Sequence, residues 1–270
     1  MAIEITSPQN PRIKDFVRLR ERRGRQSQRR FIIDGIREIH RARAAKLRIT
    51  EVCFDPQLCQ DVSERNLLSA LEADDAVLIE VSSRVMEKLS YGQRQLPLIA
   101  IAEIPSGKSL DDLTPNENAL VVILEAIEKP GNLGAILRTA DAAQVQAVIL
   151  SNGKDDLYNP NVIRSSCGAV FHLPVINATH AEVEHWLASH KFNTFATRVD
   201  GAIDYTRGDY QGRSAIVMGA EATGLSDNWH ADNSTAIRIP MHGVGDSLNV
   251  STSCAVICFE ALRQRTATAS

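Results

Sequence analysis

Ile-Pro-Met-His-Gly-Val-Gly-Asp-Ser-Leu-Asn-Val-Ser, at Ile239–Ser251, leads out of a short strand-like run at Thr235–Ile239 and into a helical pattern at Val250–Arg263. Two other stretches share that arrangement. Glu128–Ala140 reads Glu-Lys-Pro-Gly-Asn-Leu-Gly-Ala-Ile-Leu-Arg-Thr-Ala and follows the apolar run Ala119–Leu124. Met218–Ser226 reads Met-Gly-Ala-Glu-Ala-Thr-Gly-Leu-Ser and follows Ala215–Met218. Repeated strand–loop–helix units predict an α/β fold with a parallel sheet. Loops at the carboxyl ends of such strands are where open sheets build their sites.

Outward from these loops, Val145–Leu150 and Phe192–Ala196 read as further strands, and Asn132–Ala143 and Ala181–His190 as helices. Upstream, Ile104–Asn118 concentrates turn and polar residues without apolar periodicity, which predicts a linker. Before it, helical spacing at Asn10–Arg20, Ile36–Lys46, Glu64–Leu71 and Ser82–Leu89 alternates with strand candidates at Phe31–Ile33, Ile49–Phe54, Ala76–Val81 and Leu96–Ala102. That alternation predicts a small α/β sandwich. Glu21–Arg30, polar and interrupted by Gly24, reads as a loop or frayed helix end. The expected division is a domain at 1–103, a linker at 104–118 and a second domain at 119–270.

Composition narrows the class. The chain is 44% hydrophobic and 23% charged, an ordinary globular balance, and no apolar stretch approaches membrane-spanning length. Met1–Asn10 has no apolar core of the kind a signal peptide carries, so a cytoplasmic location is expected. Five cysteines without a Cys-x-x-Cys pair, and seven scattered histidines, argue against a disulfide framework or a metal site. Cys254 and Cys258 share a helix face and read as small buried residues. The net charge of −3 hides an asymmetry: Met1–Thr50 holds 14 Lys/Arg against 5 Asp/Glu, and the other 220 residues hold 16 against 28. A basic segment of that kind fits a polyanionic partner.

The loops also suggest chemistry. Asn132 and Gly134 suit a tight turn with close backbone approach to a ligand, and the two glycines of Gly219–Gly224 let backbone lie against a flat group such as adenine. Glu221 fits either a helix N-terminal role or a site role. Arg138 reads on its own as a surface arginine beside a structural turn, and because it stays protonated it is no base. There is no Gly-x-Gly-x-x-Gly and no Gly-x-x-x-x-Gly-Lys-Ser/Thr, which sets aside dinucleotide-dependent enzymes and phosphate-loop hydrolases.

The three motifs, in this order, resemble the SpoU/TrmH family of RNA ribose methyltransferases within the SPOUT superfamily, from about Asn118 to the end. Phe31–Ile39 is similar to the family's N-terminal signature, with Asp34 where Glu is commoner. The resemblance implies an RNA-binding domain with an L30e-like fold, followed by a SPOUT domain with a parallel sheet and a trefoil knot, assembled as a homodimer. It implies methyl transfer from S-adenosylmethionine to a ribose 2′-hydroxyl, of 23S ribosomal RNA, with transfer RNA or a catalytically silent RNA binder as alternatives. Arg138, Asn132, Glu221, Ser247 and Asn249 would then form the catalytic set, and Gly219, Ile239, Met241 and Leu248 would bind the cofactor. Arg164, within Tyr158–Ala169, corresponds to a segment near substrate phosphates and the dimer partner. Arg22, Arg23 and Arg25 of the basic segment are the other candidate RNA contacts. No linear motif encodes the target nucleotide.

Overall fold

The computed structural model describes residues 3–90, 96–153, 156–198, 203–220, 223–230 and 234–267. The chain divides into two units: Met1–Ser106 together with Asp156–His172, and Gly107–Asp155 together with Leu173–Ser270. Both departures from the expected division have a physical cause. Residues 107–118 belong to the second unit because Leu110 and Leu113 are buried in its apolar core. The segment 156–172 belongs to the first because Tyr158 and Phe171 pack on Phe31, at ring separations of 4.5 and 6.0 Å, and Asp156 pairs with Arg25.

The first unit contains β1 (Ile3–Ile5), α1 (Pro11–Arg18), α2 (Arg22–Gln28), β2 (Arg30–Asp34), α3 (Ile36–Ala44), β3 (Ile49–Phe54), α4 (Val62–Ala73), β4 (Val77–Val81), α5 (Ser83–Leu89) and β5 (Leu98–Glu103). Its sheet runs β1-β4-β3-β5-β2, with β5 antiparallel to both of its neighbours. Ile32, Cys53, Ile79, Ile99 and Ile101 pack with Ile13, Phe16, Val85 and Met86. The alternate residues Phe31, Ile33, Val52 and Ala100 are also fully buried. Successive side chains point to opposite faces, so this sheet is covered on both.

Helix α2 replaces the loop or frayed end expected at Glu21–Arg30. Gly24 is a packing residue there rather than a breaker: a Cβ would fall 1.9 Å from the Arg18 carbonyl oxygen. Arg25, also on α2, is almost wholly buried and makes three hydrogen bonds. It donates to both Asp156 carboxylate oxygens and, at 2.6 Å, to the Leu19 carbonyl. Asp34, in the N-terminal signature, accepts from Arg20, which also donates to the Leu89 carbonyl.

The second unit opens with β6 (Leu120–Glu125), α6 (Pro130–Ala142) and β7 (Ala147–Ser151). After the excursion that carries α7 (Pro160–Ser165), it continues with β8 (Val175–Ala178), α8 (His180–Ser189), β9 (Asn193–Thr197), β10 (Ile203–Asp204), β11 (Ser214–Met218), β12 (Ser234–Arg238) and α9 (Val250–Ala267). The strand order is β10-β12-β9-β11-β6-β7-β8, and every pairing is parallel. From β6 the chain first winds outward through β7 to β8 and then fills the other side, so β6 and β11 flank the switch point. There the two connections leave in different directions along the sheet, the position at which open parallel sheets build their sites. Among the described residues no helix is long and apolar enough to cross a membrane.

Candidate active site

The three motifs leave the carboxyl ends of β6, β11 and β12. In the first, the chain turns out of β6 through Ala126, at φ +54°, and enters α6 with Pro130 in its first turn. Proline fits there because its missing N–H is one the helix could not have satisfied. Asn132 lies in the same turn and Arg138 further along α6. Arg138 is exposed and makes no hydrogen bond or ion pair with any described residue.

The second loop is shaped by its glycines. Ala220 and Gly224 exchange backbone hydrogen bonds at 3.1 and 2.9 Å, folding the chain back on itself. Gly224 has φ +69°, and a Cβ on Gly219 would fall 2.4 Å from the Gly224 carbonyl carbon. Only glycine fits at 219, which leaves the backbone bare. Glu221 lies outside the described residues. The loop returns to the sheet at Ser226, whose N–H and hydroxyl each donate at 2.8 Å to a different oxygen of Glu125.

The third loop is open. Met241, Val244 and Leu248 are 37%, 103% and 37% exposed, and His242 and Ser247 are exposed with them; Ile239 is half-buried. The loop ends at Asn249, whose side-chain oxygen accepts from the Ser251 N–H at 3.0 Å and so caps α9. The Asn249 amide donates to Asn132 Oδ1 at 3.3 Å. One residue thus starts the C-terminal helix and reaches the first motif, while α9 packs against α6. Cys254 and Cys258 are buried in α9 with their sulfurs 3.7 Å apart. The hydrogen bond with Cys254 and burial hold the Cys258 thiol well above its ordinary range. Cys258, buried and held protonated, is then no available nucleophile. Among the described residues no group of three His, Cys, Asp or Glu is arranged to hold a metal ion.

The structure therefore joins Asn132 to Asn249 and puts Gly219, Arg138 and the exposed Ser247 loop on the same unit. Sequence reasoning missed Glu125. Its signal was there: a carboxylate ending the run Leu-Val-Val-Ile-Leu-Glu, every residue of which is buried. The candidate RNA contacts separate. Arg22 and Arg23 are exposed on α2, and Arg164 is exposed on α7, where it donates to Asn161 at 3.0 Å. Arg25 is corrected from an RNA contact to a buried structural cation, because Asp156 and a carbonyl already take its donors. At least eight of the 14 cations in Met1–Thr50 pair with described carboxylates, Arg12, Arg18, Arg20, Arg25, Arg30, Arg37, Arg43 and Arg48, so the raw charge overstates what this segment offers a polyanion.

Residues 119–259 match the SpoU rRNA methylase family, and residues 10–100 match the MRM3-like substrate binding domain. The 23S rRNA (guanosine-2′-O-)-methyltransferase RlmB of Vibrio cholerae is 35% identical over 193 residues, which cover 70% of this chain and 78% of that protein. A crystal structure of an RNA 2′-O ribose methyltransferase superposes with a TM-score of 0.87 at 41% identity, covering 98% of this chain and 100% of the other. The AdoMet-bound rRNA methyltransferase of Sinorhizobium meliloti superposes with a TM-score of 0.87 at 28% identity, covering 97% and 98%. With the family match spanning more than half its length and ending inside α9, beyond all three motifs, this chain belongs to the SpoU rRNA methylase family.

Proposed function

We propose that this protein transfers a methyl group from S-adenosylmethionine to a ribose 2′-hydroxyl of 23S ribosomal RNA. The observation that carries the reading is the hydrogen bond from Asn249 to Asn132, which ties the first motif to the third at the carboxyl edge of the parallel sheet. The cofactor suits the residues present: bare backbone at Gly219 and exposed apolar Met241 and Leu248 match a flat, largely apolar adenosine. Ile239 completes that cofactor set. When bound, S-adenosylmethionine supplies the electrophilic methyl group.

The chain's own residues supply position and charge. Arg138 holds the target phosphate and ribose by charge-assisted hydrogen bonds, and its fixed charge stabilises the oxyanion that develops at the 2′-oxygen. Asn132 and Asn249 orient one another, with Ser247 and Glu221 acting in the same centre. Alignment of acceptor and donor does most of the remaining work. RNA is held by the first unit through Arg22, Arg23 and Arg164, in keeping with its match to a substrate-binding domain. Ribosomal RNA is favoured over transfer RNA by the relatives' names. A cytoplasmic homodimer, an L30e-like first domain and a knotted C-terminal segment complete the reading.

The test is transfer from labelled S-adenosylmethionine to total RNA separated into ribosomal and transfer fractions, with nucleoside mass spectrometry and Arg138→Ala as control. A 2′-O-methyl nucleoside in ribosomal RNA, lost in the variant, is expected. Label in transfer RNA alone would overturn the substrate, and label on a base would overturn the chemistry.

A further inference from the structure

The second loop is anchored at both ends next to one buried carboxylate. Met218 of β11 lies beside Leu124 of β6 in the sheet register, so Gly219 leaves the sheet next to Glu125. After folding back through Ala220 and Gly224, the chain returns to Glu125 through two donors of Ser226, each 2.8 Å from its own carboxylate oxygen. Glu125 is only 8% exposed and forms no ion pair with a described residue. A buried carboxylate without a cation is costly unless hydrogen bonds satisfy it. Here a single serine provides two.

Glu125 also ends the strand that leads, through Ala126, into the helix of Asn132 and Arg138. It is therefore the point at which the Gly219 loop and the Asn132 loop are held to a common reference. We propose that Glu125 is a positioning residue that fixes the Gly219–Ser226 loop for cofactor binding. This rests on the reading of that loop as a cofactor wall. Glutamine at 125 keeps the size but removes the charge and offers only one oxygen, so the Ser226 hydroxyl must turn from donor to acceptor for both contacts to survive. Alanine at 226 removes one of the two hydrogen bonds and keeps the backbone donor.

The experiment is calorimetric titration of the full-length wild-type, Glu125→Gln, Ser226→Ala and double-variant proteins with S-adenosylmethionine, together with separate KM values for cofactor and RNA. Expected are about a tenfold weakening of cofactor affinity in Glu125→Gln and a smaller one in Ser226→Ala. The double variant should be no worse than Glu125→Gln, because both changes act on one contact. KM for RNA should stay within about twofold, since the residues assigned to RNA lie on α2, α6 and α7 and not on the Gly219–Ser226 loop. Wild-type affinity in Glu125→Gln, equal losses for cofactor and RNA, or additive single effects would each overturn the inference. Ser226→Ala cannot leave a new buried cavity of consequence, so it decides the matter if Glu125→Gln fails to fold. Absence of binding by the wild type would instead overturn the reading of the loop itself.

Discussion

Arg25 in the first unit and Arg138 in the second are the same residue type put to opposite use. Arg25 is 1% exposed, and it donates to Asp156 and the Leu19 carbonyl. Arg138 is exposed and makes no contact of that kind with a described residue. The difference teaches that charge count does not mark a binding cation: much of the arginine-rich segment is paired internally, whereas Arg138 lies in the acidic part of the chain and is not. An arginine held in solvent with free donors is available to a ligand, and a buried one without its partner is a defect.

Breaking that comparison gives the largest effects. Arg138→Ala should lower kcat/KM by about 10²- to 10³-fold, as removal of one oxyanion-stabilising donor does. Its unfolding midpoint in urea should match the wild type. Arg25→Met should destabilise the protein by about 3 kcal/mol, because the Asp156 charge loses its partner. Cofactor affinity of the folded fraction should be unchanged. If Arg138→Ala loses stability while Arg25→Met does not, the assignment of the two is reversed.

The glycines sharpen the same contrast. Alanine at Gly219 meets backbone 2.4 Å away, and alanine at Gly24 meets backbone 1.9 Å away. Gly24→Ala should cost about 1–3 kcal/mol by forcing α1 and α2 apart, even though alanine is the better helix former. Cofactor binding should not notice it. Gly219→Ala should weaken S-adenosylmethionine binding by at least about tenfold, the factor equivalent to 1.4 kcal/mol, at a smaller cost in stability. Calorimetry with the cofactor and urea unfolding separate the two outcomes directly.

A smaller effect follows from pH. Burial, aided by the charge of Glu51, pushes the Cys53 thiol up from 9.0 to about 12, and burial pushes Tyr158 up to about 12. Both groups are neutral when protonated, and both folded values lie above the unfolded ones. Their stabilising contribution is therefore complete below about pH 9 and is lost as pH rises from there to about 12. Each group changes the slope by up to about 1.4 kcal/mol per pH unit inside its window. Urea midpoints followed by far-ultraviolet ellipticity from pH 8 to 11 should decline, and Cys53→Ala should flatten that decline. Trp186 and Trp229 both lie in the second unit, so their fluorescence should keep the wild-type pH dependence. A flattening seen equally in tryptophan fluorescence would mean the units do not lose stability separately.

Regular strands with buried faces were legible because one-dimensional periodicity encodes them. Ile49–Phe54 is both the expected and the observed β3, and every later strand of the motif set was found to within about two residues, the usual uncertainty of element ends. What escaped was encoded in three dimensions. Gly24 looks like a breaker until Arg18 is seen beside it, and Arg25 looks like a surface cation until Asp156 arrives from 131 residues away. Pattern could not assign residues 156–172 to the first unit, since Phe31 against Tyr158 and Phe171, together with the Arg25–Asp156 pair, put them there. In the site, glycine and asparagine spacing marked the loops, but the Glu125–Ser226 contact spans 101 residues and leaves no local trace.

The smallest effect concerns Ala126, which joins the buried carboxylate of Glu125 to the first motif at φ +54°. Alanine in the left-handed region costs about 1 kcal/mol or more through its Cβ, and glycine does not. Glycine in turn gives the unfolded chain about 0.4–1 kcal/mol of extra freedom. Ala126 is exposed, so its methyl group contributes little packing to offset the strain. Ala126→Gly should therefore raise stability by a few tenths of a kcal/mol, a shift of about one degree in Tm for a chain of this size. The informative readout is activity. If the strain only records how the chain leaves β6, kcat and both KM values should stay at wild-type levels while Tm rises. If kcat falls as Tm rises, the alanine is holding the Asn132 loop in its working position, and strain at this point belongs to the same positioning system as Glu125.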